Sequence, residues 1–204
     1  MTRLGMLIDL KRCVGCDSCT LSCKAEQGTP PGVMFSRVNR VVTEQQEKIR
    51  GFFLPVLCNH CESPACLKAC PSHAIYKTND GIVLIDEDKC VGARACVTAC
   101  PYNQAFYPEN DLGYFGKTYT PYEEFHNSKR KKNISMKCNL CKHRLDKGME
   151  PSCVTACPSE CRIFGDLDDP NGKIANYLKT RLPKGEPTPL RAEAGTKPKV
   201  LYLW

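Results

Sequence analysis

The cysteines of this 204-residue chain constrain it more than any other feature, because fifteen of the sixteen fall into four spaced groups. The first group is Cys13, Cys16, Cys19 and Cys23, spaced C-x2-C-x2-C-x3-C. The second is Cys58, Cys61, Cys66 and Cys70, spaced C-x2-C-x4-C-x3-C and followed by Pro71. The third, Cys90, Cys96 and Cys100 before Pro101, matches the first spacing except that Ala93 stands in the second slot. The fourth is Cys138, Cys141, Cys153 and Cys157 before Pro158, with the middle gap widened to eleven residues. Cys161 lies outside the pattern. Cysteine at about 8 % of a chain is near the level that signals a covalent or metal scaffold. Fifteen prolines and fourteen glycines imply many loops and few long helices. A large apolar core cannot carry such a chain. Something bound to sulfur has to hold it together.

The spacing has a physical reading. A C-x2-C-x2-C loop wraps three thiolates round one iron–sulfur cube and turns its backbone N–H groups toward the sulfides. The fourth cysteine, set before a proline, points the other way and ligates a second cluster. Motifs therefore work in pairs. The second and third are separated only by Pro71 to Lys89, which reads as a hairpin: AIYK, then Thr78-Asn79-Asp80-Gly81, then the apolar Ile82 to Ile85. Asp-Gly between apolar runs is a strong hairpin signal. Cysteine motif, hairpin and cysteine motif is the layout of a bacterial two-cluster ferredoxin. The first and fourth motifs are left to pair across it. The expected fold is α+β, with two interleaved ferredoxin-like units, each holding two iron–sulfur clusters, and long loops. Residues 1–50 would form the first half of the outer unit and 51–107 the nested unit. Residues 108–137 would be a loop insertion, and 138–204 the second half of the outer unit with the C-terminal tail.

Other chemistries fit less well. Zinc also uses C-x2-C pairs, so a zinc-binding interaction module is the alternative reading. Zinc gives no reason for a cysteine at x3 followed by proline in three motifs, and His60, His73, His126 and His143 do not stand at finger spacing. A disulfide scaffold needs an oxidising compartment, and the N terminus shows neither a cationic leader into an apolar segment nor a twin-arginine pair. A radical enzyme built on one three-cysteine cluster needs a larger barrel than this chain can form. No nucleophile with its base, phosphate loop or catalytic carboxylate pair stands out. The chain reads as an electron carrier and not as a catalyst in itself.

Beyond the cysteines, the sequence resembles the four-cluster ferredoxin-like electron-transfer (beta) subunits of the dimethyl sulfoxide reductase family of molybdopterin oxidoreductases. Within that family it is most similar to the polysulfide, thiosulfate and arsenate reductase subunits. The resemblance runs through G-M-x-I-D-L-x-x-C-V-G-C from Gly5, C-N-H-C from Cys58 and K-C-x-x-C-x-H-R-L-D-K-G from Lys137. It continues through G-D-L-D-D-P from Gly165 and the tail Glu193 to Leu203. It implies a wire between a molybdopterin catalytic subunit and a quinone- or haem-binding membrane partner or a cytochrome. By similarity, Cys13, Cys16, Cys19 and Cys157 would hold the cluster nearest molybdenum, and Cys138, Cys141, Cys153 and Cys23 the next. Cys58, Cys61, Cys66 and Cys100 would hold the third. Cys90, Cys96 and Cys70 would hold the distal one. Alanine cannot ligate iron, so the expected cofactors are three 4Fe–4S clusters and one 3Fe–4S cluster at the Ala93 site.

A formal charge of +7 and a pI near 8.6 suggest nucleic acid at first sight. Bound clusters change the balance, since each carries about −2 and four sum to about −8. The basic excess then offsets cluster charge, and no nucleic-acid partner is expected. Lys129-Arg130-Lys131-Lys132 reads as a solvated loop, with a partner or lipid contact as its alternative. His60 and His143 read as hydrogen-bonding neighbours of clusters, and Cys161 as a small buried thiol. No run of 18 apolar residues is present, so no transmembrane segment is expected. The expected place is peripheral to the cytoplasmic membrane, on its outer face, by co-export with a signal-bearing partner.

Overall fold

The computed structural model describes residues 2–45, 48–181 and 186–204. The apolar run near the N terminus forms β1 (Leu4–Asp9), one of the two inner strands of a four-stranded sheet. Its neighbours are β8 (Arg162–Asp166), antiparallel, and β10 (Val200–Leu203), parallel, with the short β9 (Thr188–Pro189) outside β10. Successive side chains of a strand face opposite ways, and here both faces are covered. Met6 and Ile8 join Tyr202, Val200 and Leu57 in a core that includes Cys19, Cys23, Cys58, Cys138 and Cys153. Leu7 and Leu203 face the other way, against Ile174, Tyr177 and Leu178 of α7 (Lys173–Arg181). Burial on both sides explains why β1 reads as a continuous apolar run rather than an alternating one.

The other sheets are two-stranded. A long hairpin, β2 (Ser36–Gln45) with β3 (Lys48–Leu57), runs in register from Ser36↔Leu57 outward. Its base enters the core through Val38, Phe52 and Leu54. Position 50, where the sequence divides an outer from a nested unit, lies within β3. The hairpin read between the second and third motifs is present as β4 (Ile75–Lys77) and β5 (Val83–Ile85), with Gly81 N–H donating to the Thr78 carbonyl at 2.9 Å. The pair β6 (Ala105–Phe106) and β7 (Met136–Lys137) joins the two ends of the 108–137 stretch. That stretch holds a helix, α4 (Pro121–Asn127), capped by a reciprocal Thr120–Glu123 pair with Pro121 in the first turn, the arrangement that starts helices.

The basic run inside this stretch is not simply solvated. Arg130 donates to the Gly28 carbonyl, Lys131 pairs with Asp88, Lys132 with Asp111, and Lys129 lies over Phe125. Four more short helices carry cysteines: α1 (Ser18–Gln27), α2 (Ala65–Lys68), α3 (Ala95–Ala99) and α6 (Ser152–Thr155). The helix α5 (Lys142–Leu145) follows the second cysteine of the fourth motif. Among the described residues no helix is long and apolar enough to cross a membrane.

The C terminus is tied in by specific bonds. Tyr202 is fully buried and donates its hydroxyl to the Pro55 carbonyl at 2.9 Å, across 147 residues of chain. Trp204 sits edge-on to Phe52 and donates to Thr188 Oγ1 at 2.8 Å. Tyr202→Phe leaves the buried Pro55 carbonyl without its donor, which should cost about 1–2 kcal/mol. The melting midpoint of the loaded protein should fall by roughly 2–8 °C; an unchanged midpoint would show that the bond contributes nothing.

Candidate metal centres

The cysteine in the third slot of each motif lies on a short helix: Cys19 on α1, Cys66 on α2, Cys96 on α3 and Cys153 on α6. The fourth lies one helical turn on, at Cys23, Cys70, Cys100 and Cys157. Helix α1 packs on α6, and α2 on α3. Cys19 and Cys23 both lie on α1, whereas Cys70, Cys100 and Cys157 stand just past the ends of their helices, where the chain has left the helical path.

The cavities are built as follows. Cys13, Cys16, Cys19 and Cys157 line the first, with Cys161 and Arg162. Cys23, Cys138, Cys141 and Cys153 line the second, with Ser36 and Gln27. Cys70, Cys90 and Cys96 line another, with Ala93, Arg94 and Ser135. Cys58, Cys61, Cys66 and Cys100 form a fourth group by mutual proximity. Burial pushes Cys61 up to about 11 and Cys66 up to about 12, with Cys58 and Cys100 adding to both. Every one of the fifteen motif cysteines therefore falls into one of four groups, and no group draws only on its own motif.

The loops before these helices share a backbone shape. In Cys13-Val14-Gly15-Cys16-Asp17 and in Cys90-Val91-Gly92-Ala93-Arg94 the third and fifth residues have positive φ: 67° and 59° in the first, 68° and 58° in the second. Glycine is needed at both third places, because a side chain would also strike the Phe53 ring or the Asn133 carbonyl at 2.3 Å. Such turns aim successive N–H groups into the concavity, the geometry that favours an anion. The Ala93 loop has lost its thiol and kept this shape.

Sulfur also receives direct bonds. Leu140 N–H lies 3.4 Å from Cys138 Sγ, Gln104 N–H 3.4 Å from Cys100 Sγ, and Gln27 Nε2 3.4 Å from Cys141 Sγ. Cys70-Pro71-Ser72 and Cys157-Pro158-Ser159 repeat one device, with the serine hydroxyl 3.7 and 3.6 Å from the thiol. At Cys70 and Cys157 burial works to raise the pKa, but these hydroxyls and nearby amides outweigh it and hold both thiols below their ordinary value. Elsewhere burial dominates. Cys23 is pushed up to about 12 by burial, then by Cys153 and Cys141, and Cys138 is raised well above the ordinary value by burial, then by Cys23 and Cys58. Cys138 thus stands where the second cavity meets the Cys58 group.

The donor set fits iron–sulfur clusters better than single ions. Among the described residues no group of three His, Cys, Asp or Glu side chains converges as one metal ion requires, whereas a cube holds its thiolates farther apart. The unpartnered buried polar atoms sit around the cysteines: Ser36 Oγ, Asn59 Oδ1, His60 Nε2, Ser135 Oγ and all three nitrogens of Arg162. Buried polar atoms are normally bonded; cluster sulfides are the acceptors that the serine hydroxyls, the His60 N–H and the Arg162 guanidinium lack, whereas Asn59 Oδ1 and Gln104 Oε1 are themselves acceptors. Three buried cations, Lys137, Arg162 and Lys199, have no salt bridge among the described residues. Lys137 Nζ donates to the Val83 and Cys138 carbonyls. Arg162 approaches Cys153 without a well-formed bond; burial works to lower its pKa, but Cys153, Cys19 and Cys161 outweigh that and hold it above its ordinary value.

Two of the expected neighbours divide. His60 is buried between the Cys58 and Cys61 positions, accepts the Val83 N–H at Nδ1 (3.1 Å), and is kept neutral by burial and by Lys137 and Lys199. His143 is not a cluster neighbour: it is half-exposed and pairs with Glu26 at 2.7 Å, beside Arg144. Cys161 is buried as expected, but lies 3.5 Å from Cys157 Sγ in the first cavity. The cysteine pattern alone did not reveal Arg162, Ser135, Ser36 or Lys137. Lys137, adjoining Cys138, and the serines of the two Cys-Pro-Ser runs were the readable signals.

Comparison with known proteins agrees with this chemistry. The family model described as a 4Fe-4S dicluster domain matches residues 49–118 and 115–167. The arsenate respiratory reductase iron-sulfur subunit of Shewanella sp. strain ANA-3 is 38% identical, over 98% of this chain and 96% of that protein. The chain belongs to the iron–sulfur subunits of the dimethyl sulfoxide reductase family. A tetrathionate reductase subunit of Salmonella typhimurium is 38% identical over 98% of this chain and 72% of its own length. A selenate reductase subunit of Mesobacillus selenatarsenatis is 41% identical over 97% and 70%. Members of this family are electron-transfer subunits rather than catalytic ones, and this chain carries iron–sulfur clusters.

The sulfur geometry sets two expected outcomes. Cys157→Ala should lower the iron content, whereas Cys161→Ala should leave it unchanged; equal loss from both would make Cys161 a ligand. Thiols raised as far as Cys23, Cys61 and Cys66 are protonated at neutral pH without iron, so loading must expel their protons. Reconstitution should therefore release acid and be retained less well as pH falls, and the iron-free chain should lack a cooperative melt. A folded iron-free chain by circular dichroism, or iron retention independent of pH, would contradict this.

Proposed function

We propose that the fifteen motif cysteines hold four clusters in a row, forming two interleaved ferredoxin-like units, and that electrons cross the chain from end to end. The first cluster would rest on Cys13, Cys16, Cys19 and Cys157, and the second on Cys138, Cys141, Cys153 and Cys23. The third would rest on Cys58, Cys61, Cys66 and Cys100, and the fourth on Cys90, Cys96 and Cys70. The carrying observation is reciprocal exchange: α1 gives Cys19 to one cavity and Cys23 to the next, while Cys153 on α6 and Cys157 just beyond it go the other way round. Each helix thereby links two adjacent clusters through three intervening residues. The nearness of Cys138 to Cys58 joins the two pairs into one row.

Exposure supports a row with two accessible ends. In the two inner motifs Cys58 to His60 and Leu140 to Cys141 are buried. In the two outer ones the loops reach the surface, at Cys16 and at Val91 and Ala93. A wire needs contact at its ends and insulation between them. We infer that the first end meets a molybdopterin catalytic subunit and the fourth a quinone- or haem-linked membrane partner. Placement on the outer face of the membrane would follow from co-export with that catalytic subunit.

At the Ala93 site three thiols serve a loop shaped for four, which favours 3Fe–4S, giving about fifteen irons per chain. Cluster potentials span roughly −700 to +450 mV, with type and charge as levers, and 3Fe–4S centres lie toward the upper part. A second reading has one specific support. The buried Ser135 hydroxyl lies against Cys96 in the same cavity, short of a well-formed hydrogen bond, and could bind a fourth iron instead. Low-temperature electron paramagnetic resonance of the oxidised protein decides between them. The first reading gives a sharp, nearly isotropic signal close to the free-electron value, which Ala93→Cys abolishes. Absence of that signal with a full sixteenth iron that is lost in Ser135→Ala would establish the second.

A further inference from the structure

Arg162 opens β8, where its backbone pairs with Ile8, and its side chain is 3 % exposed. Nε, Nη1 and Nη2 all lack hydrogen-bond partners, and no carboxylate lies within salt-bridge range among the described residues. A guanidinium is always charged and carries five N–H donors in a rigid fork. Burying it alone is among the costliest arrangements a protein can make. Methionine or leucine would fill the same space without that penalty, so the charge must face an anion. The surrounding side chains say which. Arg162 lines the first cavity with Cys13, Cys16, Cys19 and Cys157, and lies against Cys153 of the second. Its charge reaches Cys13, Cys19, Cys23 and Cys153, two from each set.

We propose that Arg162 is the shared counter-ion of the first two clusters, donating to the Cys153 sulfur and to sulfides on both sides, and raising both reduction potentials together. The inference rests on the cluster reading above. A reduced cluster carries one more negative charge than an oxidised one, so a fixed positive charge in a low-dielectric wall favours the reduced form. Because the same charge adjoins both clusters, it shifts them in the same direction and keeps their potentials matched. An electron stepping between them then stays beside the same cation throughout. Arg162 acts through the clusters as a positioning and tuning residue. Lys137 differs in that its ammonium already donates to two carbonyls, whereas no nitrogen of Arg162 has a partner.

The test is a redox titration of the loaded protein followed by low-temperature electron paramagnetic resonance, on wild type, Arg162→Met and Arg162→Lys. Iron and sulfide are measured first; a wild type without them fails the cluster reading itself. With wild type loaded, Arg162→Met should move two of the four midpoint potentials to more negative values and leave the other two in place. Arg162→Lys, which keeps the charge, should restore most of the shift. If Arg162→Met loses iron from two sites while Arg162→Lys keeps it, the counter-ion role is equally supported. Four unmoved potentials in a fully loaded Arg162→Met would overturn the proposal. So would a shift of one cluster only, a uniform shift of all four, or loss of iron in Arg162→Lys as well.

Discussion

Sulfur charge buried beside fixed cations is the interaction on which this structure depends. Fifteen thiols in four groups leave little interior made of ordinary side chains: five of the thirteen residues in the largest buried cluster are cysteines. Without iron, burial pushes up Cys23, Cys61, Cys66 and Cys138, and the cations Arg162 and Lys137 stand in the interior with no salt bridge among the described residues. Neither half is stable alone. Thiolates packed this closely would repel, and the cations would be stranded in a low-dielectric medium. Clusters solve both problems, since they draw the protons off the sulfurs and return compact anions to the places the cations face. The formal excess of seven positive charges is thus an internal counterweight as much as a surface property.

Topology then serves that interior. The first motif follows β1 directly, and the fourth precedes β8, so pairing β1 with β8 brings Cys13 and Cys157 to the same end of one sheet. Packing α1 against α6 brings Cys23 beside Cys153. The tail closes the other side of β1 through a parallel pairing, Met6↔Val200 to Asp9↔Leu203. Parallel neighbours need a long crossover, and here nearly the whole chain is that crossover. Chain ends that meet in the core order both halves of the outer cavities at once.

What could be read in the sequence follows a physical division. Local features were legible: the cysteine spacing and the Asn-Asp-Gly hairpin each depend on a few adjacent residues. Features decided by distant packing were not. The β2–β3 hairpin, Ser36 to Leu57, carries arginines and polar residues on its outer reach and lacks a tight-turn dipeptide, so its alternation is diluted. The basic run Lys129 to Lys132 looked solvated because its partners, Gly28, Asp88 and Asp111, are remote in sequence. His143 looked like a cluster neighbour because it stands within a cysteine motif, yet α5 turns it outward to Glu26. The helix α4 was legible in Thr120-Pro121-Tyr122-Glu123, a capping box overlooked among tyrosines and prolines. Arg162 carries no motif at all. Only the fold reveals that an arginine after the last cysteine lines the first cavity and approaches Cys153 of the second.

The Ala93 loop separates two requirements that usually travel together. A cluster loop must bend so that its amides point inward, and it must present sulfur. Cys90 to Arg94 keeps the first requirement to within a degree of the φ values in Cys13 to Asp17, including a glycine whose replacement would strike the Asn133 carbonyl. It has abandoned the second at one position only. Loss of a site through neglect would let the backbone relax, since positive φ at Arg94 is strained for a non-glycine residue. Its retention argues that the loop still surrounds an anion and that the missing thiol is a substitution within a working site. Ala93 is exposed; in the proposed row it stands at the surface end, where a change of cluster type would alter exchange with an outside partner while leaving the inner steps as they were.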